Sequence, residues 1–483
     1  MSGSSLQQSP DQLGAASKLA VVGAYGVLGI ALLWSRLFHL GHSFWTDEIF
    51  MVENFVRAGP REILFGPYLN HELMALLAWM TTSVGGESEI ALRLLSAVPF
   101  VAGVALVTAW LHVRPGPLSA VLFLFLATVS PVLLDITRQA RGYGLAFLAM
   151  SVLIVAALEA TRTGRSWAIV AMCAAGVAGT WTLPQFGFAF VATGVVLAID
   201  RRVRIPAALG LVVSVAAIVA WYVPHSGNVQ SAPGIEDGVR IVLPWVATAP
   251  IDQILLPALL WIDGTALVAG LVWLPLVLAA AIVAASSPFL RERSSALILC
   301  AGPVATVVAL WLTNAYVIPR YLSFLLVPLF ILIATGAASI LGRITRREAA
   351  VRTIVVLTVI AILAIRFAVI APEVVGLPRE AHRDAAEVIE SRGTPTTPVL
   401  AYMRHPRDLA FYLGRPVQGL ESEDVAENVC GRSSAVFYVM QPFALEDVSV
   451  PCLDRPDVEH YRFRQYTRGD EMNVWFVPGR PST

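Results

Sequence analysis

The stretch FWTDEIFMVEN, residues 44–54, places two carboxylates, Asp47 and Glu48, directly after the first long apolar run of the chain, residues 19–40. That run is long enough to cross a bilayer as a helix, which takes about 20 residues. Ionisable side chains at the edge of a membrane are costly and often mark a functional site. The alternative is a solvated loop that carries two ordinary acids. Position alone does not separate these interpretations, so the rest of the chain must be considered.

The composition is that of a polytopic membrane protein. Hydrophobic residues make up 57% of the chain and charged residues only 14%, whereas soluble domains have about 25% charged residues. The mean hydropathy is +0.70. The formal net charge is zero, so no nucleic-acid partner is expected. Residues 1–17 are polar and rich in Ser and Gln, which predicts a disordered tail.

Several apolar runs are long enough, or nearly long enough, to cross a membrane as helices. They are 19–40, 91–113, 118–134, 142–160, 167–182, 186–198, 205–222, 265–285, 295–312, 321–341 and 353–370. A shorter run, 71–84, is predicted to be re-entrant or interfacial. With about 11 transmembrane helices, the arginine clusters that follow alternate helices all fall on one side. The positive-inside rule makes that side cytoplasmic, with the N-terminus inside.

This topology divides the chain into three predicted parts. Residues 1–17 form the cytoplasmic tail, and residues 18–371 form a transmembrane module whose first extracytoplasmic loop is 41–90. In the third part, 372–483, helix-like and strand-like patterns alternate, which predicts a small extracytoplasmic α/β domain. It contains Cys430 and Cys452, which can form a disulfide because an oxidising compartment permits pairing.

The predicted outward face carries polar residues of the types found in phosphate-binding and acid–base sites. Besides Asp47 and Glu48, they are His71, Arg138, Arg141, Tyr143, Arg320 and Tyr321. Arginines can clamp a phosphate, and a carboxylate can act as a general base. At a membrane edge, this combination predicts a lipid phosphate as substrate. The ordinary alternative is that the arginines are headgroup anchors.

The sequence predicts no cofactor. His39 and His42 flank the acids, but their spacing is not that of a helical metal pair. A divalent metal is therefore compatible with the site without being indicated by a motif. There is no Gly-rich loop for a nucleotide.

Four motifs, in order, resemble the GT-C membrane glycosyltransferases. They are WTDEIF (45–50), GESEIALRLLSA (86–97), SPVLLDITRQARGYGLAFL (130–148) and PRYLSFLLVP (319–328). The resemblance covers roughly residues 19–341. It is strongest to the bacterial RgtA/B/C/D-like lipopolysaccharide core glycosyltransferases, and weaker to aminoarabinose transferases and protein O-mannosyltransferases.

The resemblance implies transfer of a sugar from a polyprenyl-phosphate donor to a glycan, lipid or protein acceptor outside the bacterial cytoplasmic (inner) membrane. It also implies that Asp47 is the general base, that Glu48 is the second carboxylate, and that the reaction inverts the anomeric centre. The donor would contact two arginine–tyrosine pairs, Arg141 with Tyr143 and Arg320 with Tyr321.

One motif departs from the family pattern. The stretch NHELMALL (70–77) keeps a histidine, His71, but lacks the prolines and the aromatic residue that the family has there. This departure favours one alternative, an inactive protein that keeps the fold. The other alternative is a transporter or lipid flippase, which typically places charges at the bilayer midplane in two related halves.

Overall fold

The structure is a computed structural model. It describes residues 15–66, 71–223, 282–313, 319–342, 364–365, 367–369, 371–372, 374–378, 380–403, 405–421, 424–441, 450–465 and 471–479. Most of the predicted tail and most of the predicted runs 265–285 and 353–370 lie outside these residues. The chain forms two compact units. The helical unit comprises Met1–Phe38, Ala58–Glu87 and Ala91–Ala371, and the α/β unit comprises His39–Arg57, Ser88–Ile90 and Pro372–Thr483.

Helices dominate the described part of the chain up to residue 342. They are α1 (Ala15–Leu37), α2 (Thr46–Met51), α3 (Pro60–Phe65), α4 (Glu72–Gly85), α5 (Glu89–Val113), α6 (Pro117–Val129), α7 (Pro131–Ile136), α8 (Tyr143–Thr163), α9 (Ser166–Thr182), α10 (Phe186–Ile199), α11 (Arg204–Tyr222), α12 (Arg293–Thr313) and α13 (Leu326–Gly342). Of these, α2 belongs to the α/β unit and continues as a π-helical turn, Val52–Val56.

Six helices among the described residues are long and apolar enough to cross a membrane. They are Leu19–Leu37, Glu89–Val113, Tyr143–Thr163, Arg204–Tyr222, Arg293–Leu310 and Arg320–Gly342. The last starts within a 3₁₀ turn, Pro319–Leu325, that leads into α13. Helices α6, α9 and α10 are apolar but shorter. Helix α4, in the predicted re-entrant segment, has only 14 residues.

Helix α8 is buried along most of its length and forms the centre of the helical unit. It packs against α9, α10, α12 and α13. The start of α8 packs closely against α5 at Gly144, whose backbone N–H donates to Ser96 Oγ at 3.1 Å. A side chain at Gly144 would overlap the Ser96 carbonyl, so glycine is needed for this approach. The contact fixes the start of α8 and therefore the position of Tyr143.

The run 118–134, predicted as one helix, is split at Ser130. Proline has no N–H to continue a helical ladder, and Pro131 instead starts α7. Ser130 Oγ accepts from Leu133 N at 3.4 Å and caps that new helix. A non-helical segment then follows α7 and carries Arg138 and Arg141 into the helical unit.

Among its described residues, the α/β unit is built on a five-stranded mixed sheet. Its strands are β1 (Val399–Tyr402), β2 (Gln418–Gly419), β3 (Val436–Met440), β4 (Glu459–Arg464) and β5 (Glu471–Val477), and its further helices are α14 (His382–Arg392), α15 (Pro406–Leu413) and α16 (Val425–Cys430). The sheet order is β2-β1-β3-β5-β4. Strands β2, β1 and β3 are parallel, and β5 pairs antiparallel with both β3 and β4.

Each face of the sheet buries its own core, as the two-residue period of a strand requires. On β3, Phe437 and Val439 belong to the cluster under α14 and α15. Tyr438 belongs to the other cluster, with α16. Cys430 at the end of α16 is joined to Cys452 by a disulfide, with their Cα atoms 5.6 Å apart.

The segment around α2 folds with this domain as part of the α/β unit. The ring of Phe44 meets the ring of Phe411 edge-on at 6.4 Å. The guanidinium of Arg57 lies 4.4 Å from the same ring, a distance typical of a cation–π contact. Helix α15, which carries Phe411, therefore holds the segment that contains Asp47 and Glu48.

Candidate functional site

The two predicted carboxylates lie in the first turn of α2 and have different environments. Glu48 is fully buried, and its Oε2 accepts from the backbone N–H of Trp45 at 3.1 Å. A glutamate at this position accepts a hydrogen bond from a backbone N–H that has no partner within the helix, and its negative charge interacts favourably with the helix dipole. Asp47 is half-buried. Glu48 thus has a visible structural task, and Asp47 is the more accessible acid.

The residue before Asp47, Thr46, binds two further carboxylates of the same unit. Its backbone N–H donates to Glu380 Oε2 at 3.0 Å, and its hydroxyl lies 2.6 Å from Asp408 Oδ2 and 3.2 Å from Glu380 Oε2. Glu380 and Asp408 were not among the residues predicted from the sequence. Nothing local marks them, because their partner is more than 330 residues away in the chain.

In the helical unit, the structure brings together three of the predicted residues. The ring of His71 meets Tyr143 at 5.0 Å and Tyr321 at 5.8 Å, in both cases edge-on. The two tyrosine rings are 6.3 Å apart. All three side chains are buried. Residues from three separate motifs therefore form one aromatic cluster.

His71 also has an unusual backbone, with φ of 153°. Residues with a side chain rarely adopt positive φ, and such strain tends to occur at functional sites. Helix α4, which starts after His71, is anchored by Glu72, whose Oε2 accepts from Trp221 Nε1 at 2.9 Å. Trp181 stacks on Trp221 at 4.3 Å. These contacts tie α4 to α9 and α11.

The imidazole of His71 is held in its neutral form. Burial lowers its pKa well below the usual value, and the neighbouring positive charges of Arg141 and then Arg320 lower it further. Its Nδ1 accepts from the backbone N–H of Gly142 at 3.3 Å, which assigns the proton to Nε2. Among the described residues, Nε2 has no hydrogen-bond acceptor. A neutral donor therefore lies in a region that two arginines make positive.

Arg138 caps the C-terminal end of α1. Its Nη1 donates to the carbonyl oxygens of Ser35 and Phe38, each at 2.8 Å. Arg36, which was not predicted as a site residue, is fully buried and caps α6 in the same way, with Nη2 donating to Ala127 O and Thr128 O. The last carbonyl groups of a helix have no hydrogen-bond partner within it. Both arginines therefore cap carbonyl groups at helix C-termini in the helical unit.

The histidines beside the acids are in the α/β unit. The rings of His39 and His42 stack at 5.8 Å, and His42 Nε2 lies 3.0 Å from the carbonyl of Val375. A different group in this unit has ligand atoms close enough to hold a metal ion: Glu380, His382 and Asp408, with these atoms within 4.8 Å of one another.

No protein-family model and no curated protein sequence matches the chain. Among solved structures, the chain is similar to ArnT from Cupriavidus metallidurans in the apo state, with 16% identity, a TM-score of 0.54, and coverage of 95% of this chain and 98% of ArnT. The same protein bound to undecaprenyl phosphate gives 14% identity, a TM-score of 0.53, and coverage of 96% and 98%.

A more distant similarity is to the archaeal oligosaccharyltransferase AglB from Archaeoglobus fulgidus, in complex with an inhibitory peptide and a dolichol-phosphate. It has 11% identity, a TM-score of 0.50, and coverage of 89% of this chain and 70% of AglB. The chain thus shares the fold of ArnT, which confirms the resemblance of the four motifs to membrane glycosyltransferases at the level of the fold alone.

Proposed function

We propose that the chain is a membrane glycosyltransferase that transfers a sugar from a polyprenyl-phosphate donor to an extracytoplasmic glycan, lipid or protein. The observation that carries the proposal is a fold shared with ArnT over nearly the whole of both chains, ArnT having been solved with undecaprenyl phosphate. Fold alone does not establish function. The chemistry of the named residues supplies the rest of the support.

The donor's phosphate would be bound by the arginines around His71. Arg141 and Arg320 both lower the pKa of His71 electrostatically, so they act on one region of the helical unit. Arginine recognises phosphate through two parallel N–H bonds. His71 would add an uncharged donor, its Nε2–H. Tyr143 and Tyr321 hold the imidazole edge-on and can offer hydroxyl groups to the donor.

Asp47 would be the general base. The acceptor hydroxyl attacks the anomeric carbon while Asp47 takes its proton, and the bond from that carbon to the lipid phosphate breaks. The phosphate leaves with the electron pair and is stabilised by the arginines. One displacement with one base inverts the anomeric centre. The structural use of Glu48 at the start of α2 favours Asp47 for this step.

The direct test supplies radiolabelled polyprenyl-phosphate sugars to membranes with and without the protein. We expect label to pass from the lipid to an acceptor only when the protein is present, and the labelled product would identify the acceptor class. Labelled lipid that changes leaflet without losing its sugar would instead indicate a flippase. If the protein transfers label from none of the donor sugars, the proposed function is wrong.

A further inference from the structure

Four polar groups of the α/β unit converge next to the predicted catalytic stretch. His382 Nε2 lies 2.9 Å from Glu380 Oε2 and 4.0 Å from Asp408 Oδ2. The Thr46 hydroxyl lies 2.6 Å from Asp408 Oδ2 and 3.2 Å from Glu380 Oε2. The group therefore offers one imidazole nitrogen, two carboxylates and one hydroxyl, and it combines α2 with the start of α14 and with α15.

One carboxylate oxygen in this group, on Asp408, accepts no hydrogen bond from the described residues. Glu380 Oε2 accepts from the Thr46 backbone N–H and contacts His382 Nε2, and the Thr46 hydroxyl donates to Asp408 Oδ2. Asp408 is fully buried, and among the described residues its Oδ1 accepts no hydrogen bond. Arg407 Nε lies 3.7 Å from Oδ1, but the Arg407 side chain is about half exposed, which weakens its compensation of the buried charge. A buried carboxylate in this condition is costly unless a cation compensates it.

We propose that Glu380, His382 and Asp408 bind one divalent metal ion of the Zn²⁺ class, with Thr46 Oγ1 completing four ligands. Imidazole nitrogen together with carboxylate oxygen is a typical Zn²⁺ ligand set, and four ligands form its usual structural site. Ca²⁺ and Mg²⁺ prefer oxygen ligands only, so the histidine selects against them. The ligand atoms already lie within 4.8 Å of one another, and small side-chain movements would close the site.

The ion would have a mechanical consequence for α2. Thr46 directly precedes Asp47, and Glu380 also accepts from the Thr46 backbone N–H. A metal bound here would link the first turn of α2 to α14 and α15 within the α/β unit. The binding site itself does not depend on the proposed glycosyl transfer, whereas any effect of the metal on transfer rests on it.

The first experiment measures bound metal in the full-length, detergent-purified protein. We expect about one Zn²⁺ per chain after metal-free protein is loaded and desalted, and a higher thermal unfolding midpoint with Zn²⁺ than with EDTA or Mg²⁺. Absence of stoichiometric Zn²⁺, or an equal shift with Mg²⁺, would overturn the proposal and leave the cluster as a hydrogen-bonded network.

Zn²⁺ affinities of single-residue variants distinguish loss of the metal site from general destabilisation of the protein. Loss of an outer-shell partner weakens metal binding roughly 10–100-fold, so His382→Gln, which removes a direct ligand, should weaken Zn²⁺ binding at least as much. The control is His460→Gln, a surface histidine that bonds Asn473 and should bind Zn²⁺ like the wild type.

These measurements are independent of sugar transfer. If His382→Gln binds Zn²⁺ as tightly as His460→Gln, the metal site is wrong, whatever the transfer activity. If Zn²⁺ binds as expected but no donor is used, the proposed function fails and the metal site stands. Should His382→Gln fail to fold, Glu380→Gln takes its place, because it removes a carboxylate ligand and keeps the side-chain shape. Zn²⁺ bound as tightly in that variant as in His460→Gln would overturn the metal site.

Discussion

Asp47 and Glu48 are adjacent in the chain but have different surroundings. Asp47→Asn keeps the shape of the side chain and removes the base, so sugar transfer should fall by about 10²–10⁴-fold while the protein remains folded. Donor affinity should persist, because removal of a negative charge does not weaken attraction to a phosphate. Transfer rate and donor affinity, both normalised to monodisperse protein, are the measurements.

Glu48→Gln is the matched control for this prediction. Glutamine keeps an oxygen that can accept from Trp45 N, as Glu48 Oε2 does, so α2 should keep its start and transfer should fall less. If Asp47→Asn transfers at the wild-type rate while Glu48→Gln is inactive, the two roles are reversed. Wild-type transfer in both variants would mean that neither acid is the base.

The arginines near His71 are predicted to bind the donor's phosphate. Arg141→Ala and Arg320→Ala should each cost about 1.5–3 kcal/mol, the range for a hydrogen bond to a charged group, which is roughly a 10- to 150-fold loss in donor affinity. Lysine at either position should restore only part, since it lacks the planar fork. Titration of a donor analogue measures this. Unchanged affinity in both alanine variants would make the arginines membrane anchors.

His71 should make the protein sensitive to acid. Its pKa in the folded protein is lowered by burial and by Arg141 and Arg320, whereas the unfolded value is about 6.5. The unfolded state therefore binds more protons below that pH, and stability is lost as the pH falls. The unfolding midpoint should drop between pH 7.5 and 5.5 more steeply in the wild type than in His71→Gln. Parallel curves would show that His71 is not the sensor.

At the scale of elements, the disulfide ties the end of α16 to the 3₁₀ turn Pro451–Asp454 across 22 residues of chain. Closing a loop of this size contributes about 3 kcal/mol in the entropic model. Cys452→Ser should lower the free energy of unfolding of the α/β unit by about that amount. Cys173→Ser, at a free thiol of the helical unit, is the control. Mass spectrometry of unreduced peptides checks the bond itself, and two alkylated thiols would contradict it.

The helices were largely predictable from sequence because apolar length is a local signal. The break at Ser130 was missed because apolarity continues across it, although Pro131 was visible. Contacts between distant segments could not be predicted. Arg138 reaches Ser35 across 103 residues, and Thr46 reaches Glu380 across 334. No local pattern encodes such partners, so the motifs led to Asp47 and His71 as candidates but not to the residues that contact their segments.

At the scale of the whole molecule, the testable quantity is topology. The arginine clusters predict that the N-terminus is cytoplasmic and that residues 372–483 lie outside. A C-terminal fusion to a reporter active only outside the cytoplasm should therefore be active, and a fusion to a cytoplasmic reporter should be inactive. The reverse pattern would contradict both the orientation and the outward site.

The α/β unit joins segments that the ribosome makes far apart in time. Residues 39–57 are synthesised early, but Glu380 follows Thr46 by 334 residues. At roughly 5–20 residues per second, translation takes on the order of 20–70 s to cover that distance. During this interval the segment with Asp47 and Glu48 exists without α15 and the sheet. A chain cut short before residue 380 would thus keep its membrane helices but never complete this unit, so nascent chains should need protection until translation ends.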